Sequence, residues 1–274
     1  MAKRANRARM GFLVFIFSVM LLWGGEQEAD ANRLNEDFFL RCGKDLASVV
    51  SSPAHWQKRD ALTVAALSGT TFLCFALDAD IRREVLAKRT PDVEEGASFF
   101  SSFGDGGFLL GGLAALYLTG EMGKKDSLRR TSLLCLESLV TTTIFIWGAK
   151  FVLGRSRPST GESSSTFRPF SFASGRTSFP SGHAASAFAV ATAIAEETKA
   201  VPVDILAYSL ASLVGVARIV QDKHWTSDVL VGSALGYFIA RKICRLNRDK
   251  EETRARFSLH LSPGYKSLVV SYHF

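Results

Sequence analysis

At 274 residues the chain has room for one large domain or two small ones, and its 47% apolar content with a mean hydropathy of +0.13 is modest for a protein wholly immersed in lipid. A net charge of +7 suggests a nucleic-acid partner, but the charge sits in the wrong places for one. Lys3, Arg4, Arg7 and Arg9 open the chain, while Arg241, Lys242, Arg245, Arg248, Lys250, Arg254 and Arg256 follow the last apolar segment, with no basic groove interleaved with aromatics. Basic residues flanking apolar segments fit the positive-inside rule, so a membrane and not nucleic acid is the expected partner.

Residues 1–31 read as a signal peptide or signal anchor, with a basic start, an apolar run from Met10 to Trp23 and Ala29-Asp30-Ala31 as a small-residue cleavage site. Such a segment addresses the chain to a bacterial cell envelope. Over 32–60, Leu34, Phe38, Phe39, Leu46, Val49 and Val50 recur at helical spacing before a break at Ser52-Pro53. This predicts an amphipathic helix on the domain or at the membrane interface. An apolar stretch at 61–77 is bounded by Asp60 and Asp78, and a charged linker is expected from there to about Phe103. Gly104-Asp105-Gly106-Gly107 then opens a Gly- and Leu-rich helix to about Leu118.

Residues 132–153 are the strongest candidate for a spanning helix, long enough for a hydrocarbon core of roughly 30 Å. Within it, Glu137 lies well over two turns before Lys150 and is expected to make a packing hydrogen bond. The helix should stop at Gly154 and Arg157-Pro158. Three more helices follow at about 183–196, 203–220 and 227–244, which predicts an all-α fold. Its main domain is expected over 61–245, as a bundle of about six mostly apolar helices. The tail, 246–274, reads as a basic linker and a β-hairpin, because Phe257, Leu259 and Leu261 alternate with polar residues before the Pro263-Gly264 turn, and Leu268, Val270 and Tyr272 alternate after it. Cys42, Cys74, Cys135 and Cys244 have neither metal-ligand nor redox-motif spacing and are expected as free thiols.

Three stretches carry chemistry. In VARIVQDKHWTSDVLVGSAL, Val216 to Leu235, His224 and Asp228 stand four apart and so share a helix face. A carboxylate there can accept from one imidazole nitrogen, fix the tautomer and leave the other nitrogen free as nucleophile or base. A structural ion pair at a helix start would look the same. KFVLGRSRP supplies Lys150 and Arg157, and SFPSGHAASAF supplies a tight turn of Pro180, Ser181 and Gly182 with His183 in the first turn of the following helix. Free N–H groups and the dipole at that helix start suit a phosphate. With Arg218 the inventory is three cations, a hydroxyl, an N–H cradle and two histidines, which suits phosphoryl transfer through a covalent phosphohistidine without metal. The residues alone leave open which histidine is the nucleophile; the carboxylate partner favours His224.

In order and interval, the patterns Lys-x6-Arg-Pro, Pro-Ser-Gly-His and Arg-x5-His-x3-Asp resemble the type 2 phosphatidic acid phosphatase (PAP2) and vanadium haloperoxidase superfamily, over Lys150 to Asp228. One departure is Ala217, where the family carries serine; it removes a small polar group but no proton carrier. The resemblance implies that His224 attacks phosphorus, Asp228 orients it, and His183 protonates the leaving alkoxide and later activates water. Lys150, Arg157, Ser181, Gly182 and Arg218 would bind the phosphate oxygens, with no cofactor required. Apolar helices beside such a site point to a lipid phosphate or pyrophosphate, such as phosphatidic acid, a polyprenyl pyrophosphate or a lipid A phosphate. The alternatives are a broad-specificity periplasmic acid phosphatase, a vanadium-dependent haloperoxidase using the same site, and a non-enzymatic anion-binding membrane protein.

The Lys- and Arg-rich loops 124–130 and 241–256 fall at the end opposite the motifs, so a cytoplasmic placement of those loops turns the catalytic end to the periplasm. A cleaved signal followed by three crossings would instead put Lys150 inside. Either one of the short segments 61–77 and 106–119 does not cross, or the bundle is a soluble or monotopic periplasmic domain. The Ser-, Gly- and Arg-rich segment 155–179 is either a solvated loop or a substrate-selecting lid, with Phe167, Phe170 and Phe172 in it and Arg168 and Arg176 reaching a headgroup.

Overall fold

The computed structural model describes residues 33–261 and 268–272, with side chains through residue 253. The signal segment 1–31 and the Pro263-Gly264 turn lie outside these residues. Helix α1, Glu36–Ser51, starts where the Asn35 side chain accepts the Phe38 N–H at 3.0 Å. It seats Phe38, Asp45 and Val49 on the bundle and leaves Phe39, Leu40 and Val50 exposed, as its amphipathic pattern requires.

Residues 61–77 turn out to be part of a longer element. Helix α2, Lys58–Ala87, runs for 30 residues straight through Asp78, which is its one buried residue. Nothing between Asp78 and Thr90 breaks a helix, and the aspartate that resembles a boundary is paired inside the protein. The expected charged linker also contains a helix, α3, Pro91–Ser101, with proline at its first position and the Thr90 hydroxyl accepting the Val93 N–H. A short turn at Ser102–Gly104 leads, with a 55° bend, into α4, Gly106–Met122, capped by Asp105.

Helix α5 runs Asp126–Leu153 and ends at Gly154 with φ +58°, where an added Cβ would sit 1.8 Å from the Arg168 carbonyl oxygen. Only glycine can hold that turn. Helices α6, Gly182–Thr198, α7, Val201–Val220, and α8, Thr226–Arg256, complete eight α-helices among the described residues. The bundle is all-α, as expected. Helix α8 continues through the first part of the predicted basic linker because its polar residues there have partners: Lys250 reaches Asp45 on α1 at 2.6 Å and Arg248 reaches Glu196 on α6 at 2.8 Å. Beyond it, Phe257–Leu261 and Leu268–Tyr272 pair antiparallel, with Phe257 opposite Tyr272.

Small residues let α6 and α8 touch backbone to backbone. A Cβ on Gly232 would lie 2.4 Å from the Ser181 carbonyl oxygen and one on Gly236 would lie 2.2 Å from that of Ala185. Leu113, Cys135, Leu139, Val190, Ala193 and Cys244 join α4, α5, α6 and α8, while Phe103, Ala187, Ala191, Ala211 and Val214 join the α3–α4 turn to α6 and α7. Arg130, early in α5, pairs with Glu197 at the end of α6 (2.6 Å) and with Glu251 on α8. That pole holds both basic stretches, 124–130 and 241–256, expected as loops but lying largely within α5 and α8; Lys150, Gly182 and Thr226 lie at the other. Glu137 accepts the Asn247 side-chain N–H at 3.2 Å, the packing role its position predicted. Helices α2, α5 and α7 are long and apolar enough to cross a membrane, and the bent pair α3–α4 is a candidate fourth span. The short-segment objection to 61–77 therefore falls away.

Candidate active site

The segment Thr177–Gly182 is the hub onto which the three stretches converge. Lys150, at the end of α5 and 5% exposed, donates its ammonium to the Thr177 carbonyl oxygen. Arg157 donates to the Thr177 hydroxyl at 3.1 Å, and the Ser181 N–H donates to the Asp228 carbonyl oxygen at 2.9 Å. A Cβ on Gly182 would meet the Lys150 side chain at 3.9 Å. The turn that opens α6 is thus held against both the end of α5 and the start of α8.

His224 is 3% exposed, in the loop between α7 and α8. Its Nδ1 lies 2.7 Å from the Ser178 carbonyl oxygen. A carbonyl can only accept, so Nδ1 carries the hydrogen and Nε2 keeps its lone pair. The expected direct contact with Asp228 is longer, at 3.7 Å, which is beyond a hydrogen bond. Instead Asp228 Oδ2 accepts from the Ser178 hydroxyl at 2.5 Å and from the Trp225 N–H at 2.9 Å. The carboxylate caps the start of α8 and holds the residue whose carbonyl sets the histidine, so the helix-start reading and the orienting reading describe one arrangement. Burial, with the charges of Lys150 and Arg218, pulls the His224 pKa down to about 3 against the Asp228 carboxylate, which works to raise it.

His183 is half-buried at the first turn of α6. Burial first, then Arg218, Lys150 and Arg157, pulls its pKa down to about 4, while Asp105 opposes the shift. Lys150 and Arg218 act on both imidazoles, and Arg157 acts on His183. Arg218 donates to the Ser101 hydroxyl and the Gln221 side-chain oxygen, both at 2.8 Å. Three polar groups of this cluster are buried without a hydrogen-bond partner: Nε of Arg157, Nε of Arg218 and the Ser181 hydroxyl. Leaving such groups unpaired costs about 1–3 kcal/mol each, a cost that an oxyanion accepting from them would remove. Among the described residues no three His, Cys, Asp or Glu side chains group as a metal site.

The sequence patterns did not single out the tier behind these residues. Arg155 is fully buried and donates to Asp228 (2.5 Å), Asp78 (2.8 Å), the Ser227 hydroxyl (2.7 Å) and the Ser164 carbonyl oxygen (2.8 Å). Its guanidinium lies 4.7 Å over the Phe75 ring and 5.6 Å from the rings of Phe167 and Trp225. Arg155 occupies an unassigned position of the Lys-x6-Arg-Pro stretch, where only its spacing beside Arg157 could have drawn notice.

The segment 155–179 is fastened along its length and is not a freely solvated loop. The Arg168 N–H donates to Gly154 and the Phe170 N–H to Phe151, at 2.9 and 2.7 Å. Phe172 stacks on Phe151 with centroids 4.6 Å apart and Phe170 meets the same ring edge-on at 5.7 Å. Arg168 pairs with Glu162 at 2.8 Å. Phe170 and Phe172 nonetheless stay largely exposed beside Trp147, forming an aromatic patch at the Lys150 end of α5.

Residues 131–252 match the PAP2 superfamily. Over 104 residues the chain is 38% identical to the Lipid A 1-phosphatase of Porphyromonas gingivalis, covering 32% of this chain. The match takes in 23% of the length of that curated relative. Among solved structures, the crystal structure of Aquifex aeolicus LpxE superposes with a TM-score of 0.50 at 22% identity, over 62% of this chain and 95% of that one, a likeness of fold. The transmembrane PAP2-type phosphatidylglycerolphosphate phosphatase from Bacillus subtilis superposes with a TM-score of 0.48 at 22% identity, over 78% and 95% of the two chains.

Proposed function

Through residues 131–252 this chain belongs to the PAP2 superfamily, and from that premise we propose that it is a metal-independent phosphatase of a lipid phosphate or pyrophosphate. His224 Nε2 attacks phosphorus, forming an N–P bond as the P–O bond to the lipid breaks, and His183 gives the departing oxygen its proton. Water, deprotonated by His183, then attacks the phosphohistidine, and inorganic phosphate leaves. Lys150, Arg157, Arg218, the Ser181 hydroxyl and the Gly182 N–H take the non-bridging oxygens and stabilise their charge in the transition state. Asp228 acts behind the nucleophile. His183 is neutral in the free protein, and an incoming phosphate raises its proton affinity, so the acid is charged when the leaving group needs it.

The observation that carries this reading is the Ser178–His224 bond, which leaves Nε2 unprotonated in a site where Lys150 and Arg218 act on the imidazole. Helices α2, α5 and α7 and the aromatic patch of Trp147, Phe170 and Phe172 favour a lipid over a soluble ester. The name of the Porphyromonas relative puts a lipid A phosphate among the first substrates to test. With the basic pole on the cytoplasmic side, the site faces the periplasm across the inner membrane. We read 61–245 as the catalytic domain, with the paired segments Phe257–Leu261 and Leu268–Tyr272 packing on it or on a partner.

Purified protein should release phosphate from phosphatidic acid, a polyprenyl pyrophosphate or lipid A in detergent. His224→Ala should abolish release, chelators should leave it intact, and vanadate should inhibit. Chelator-sensitive turnover would count against the mechanism.

A further inference from the structure

Helix α2 is apolar and exposed along most of its length, with Leu62, Phe72 and Leu73 each more than half exposed, yet its one buried residue is an aspartate. It also lies wholly before the residues that match the family. Asp78 Oδ1 accepts the Ser227 N–H at 3.0 Å, and Oδ2 accepts the Ser227 hydroxyl at 2.6 Å and the Arg155 guanidinium at 2.8 Å. Arg155 passes the contact to Asp228, Asp228 to the Ser178 hydroxyl, and the Ser178 carbonyl to His224 Nδ1. One turn beyond Asp78, Arg82 grips Asp222 through both carboxylate oxygens, at 2.7 and 2.8 Å. Asp222 has φ +57°, at the other end of the loop that carries His224. Helix α2 therefore holds that loop before and after the histidine.

We propose that Asp78 is a positioning residue for His224: through Arg155 and Ser227 it fixes where Asp228 and the Ser178 carbonyl stand, and so where Nε2 points. The proposal rests on the phosphatase reading for its kinetic consequence, though not for its geometry. A carboxylate fully withdrawn from water is costly unless each oxygen is satisfied, and here all its bonds go to groups that reach the site. Without the Asp78 charge, Arg155 keeps one carboxylate and shifts toward it, displacing Asp228. Misplacement of a reacting group by about 1 Å can cost on the order of a hundredfold in rate.

The test uses full-length protein in detergent with phosphatidic acid, a polyprenyl pyrophosphate and lipid A, following the one turned over best. Asp78→Asn should lower kcat by roughly ten- to a hundredfold while KM stays within about threefold. Asp78→Glu, which keeps the charge, should recover part of the loss. Wild-type kcat in Asp78→Asn, or equal losses in the two variants, would overturn the proposal. Should Asp78→Asn fail to fold, Ser227→Ala removes a neutral hydroxyl and leaves the ion pairs; it should lower kcat without moving the melting temperature, and an unchanged kcat overturns the proposal. Histidine 15N spectra report positioning without turnover: Asp78→Asn should move the His224 ring signals, identified with His224→Gln. Static His224 signals would sink the positioning role even in an inactive protein, whereas a wild type that releases no phosphate from any of the lipids sinks only the phosphatase reading.

Discussion

The Ser178 carbonyl oxygen lies 2.7 Å from His224 Nδ1, a full ångström nearer than the Asp228 carboxylate at 3.7 Å. The main chain therefore sets the tautomer, and the carboxylate sets the main chain. In enzymes where the acid itself holds the imidazole, replacing it by its amide costs about 10⁴-fold in kcat through the wrong tautomer. Here Asp228→Asn leaves the Ser178 bond in place. We expect a loss of about ten- to a hundredfold in kcat, with Nδ1 still protonated in 15N spectra. A 10⁴-fold loss accompanied by a switch to the other tautomer would return the orienting role to Asp228 directly.

Arg155 joins two carboxylates, with no exposure of its own side chain or of theirs. Arg155→Met leaves Asp78 and Asp228 buried and facing each other without their cation. Breaking a buried pair in this way costs about 3–5 kcal/mol. Thermal unfolding in detergent should show a large drop in midpoint, and a variant as stable as wild type would contradict the pairing.

Burial and neighbouring cations hold both His224 and His183 neutral, His224 at about 3 and His183 at about 4. The unfolded chain takes up these protons near the ordinary value of 6.5, the folded chain only near 4 and 3. Stability present above pH 6.5 is thus lost as the pH falls through that window. The melting temperature should decline between these limits, and His183→Asn with His224→Asn should flatten the decline. An unchanged slope in the double variant would show that the histidines do not carry it.

Two glycines separate packing from propensity. Gly236 sits where a Cβ would come within 2.2 Å of the Ala185 carbonyl oxygen, whereas Gly69 on α2 has nothing within 4 Å. Gly236→Ala should destabilise by about 1–3 kcal/mol through forced separation of α6 and α8. Gly69→Ala should be neutral or stabilising by up to about 1 kcal/mol. Melting curves of the two variants check both signs.

The motif intervals made Lys150, Arg157, His183, Arg218, His224 and Asp228 candidates, and the fold brings the helix ends and loops that carry them to one pole of the bundle. The stop of α5 at Gly154 was readable as well, since a glycine before an Arg-Pro pair ends helices by local sterics. What escaped notice depends on distant pairing. Asp78 interrupts an apolar run and so resembles a boundary; only the fold shows that Arg155 receives its charge. The basic stretch after residue 245 resembled a linker until Lys250 and Arg248 found Asp45 and Glu196. The Ser178 contact runs through a main-chain carbonyl, a group every residue has, so no pattern of side chains could announce it.

The most direct test of the central claim is to trap the covalent intermediate. Lipid carrying ³²P in the scissile phosphate, mixed with the full-length protein and quenched within one turnover, should leave label that is acid-labile and base-stable, as a phosphohistidine is. The label should map to His224 and be absent from His224→Ala. Label on His183, or turnover with no labelled protein at any quench time, would contradict the account.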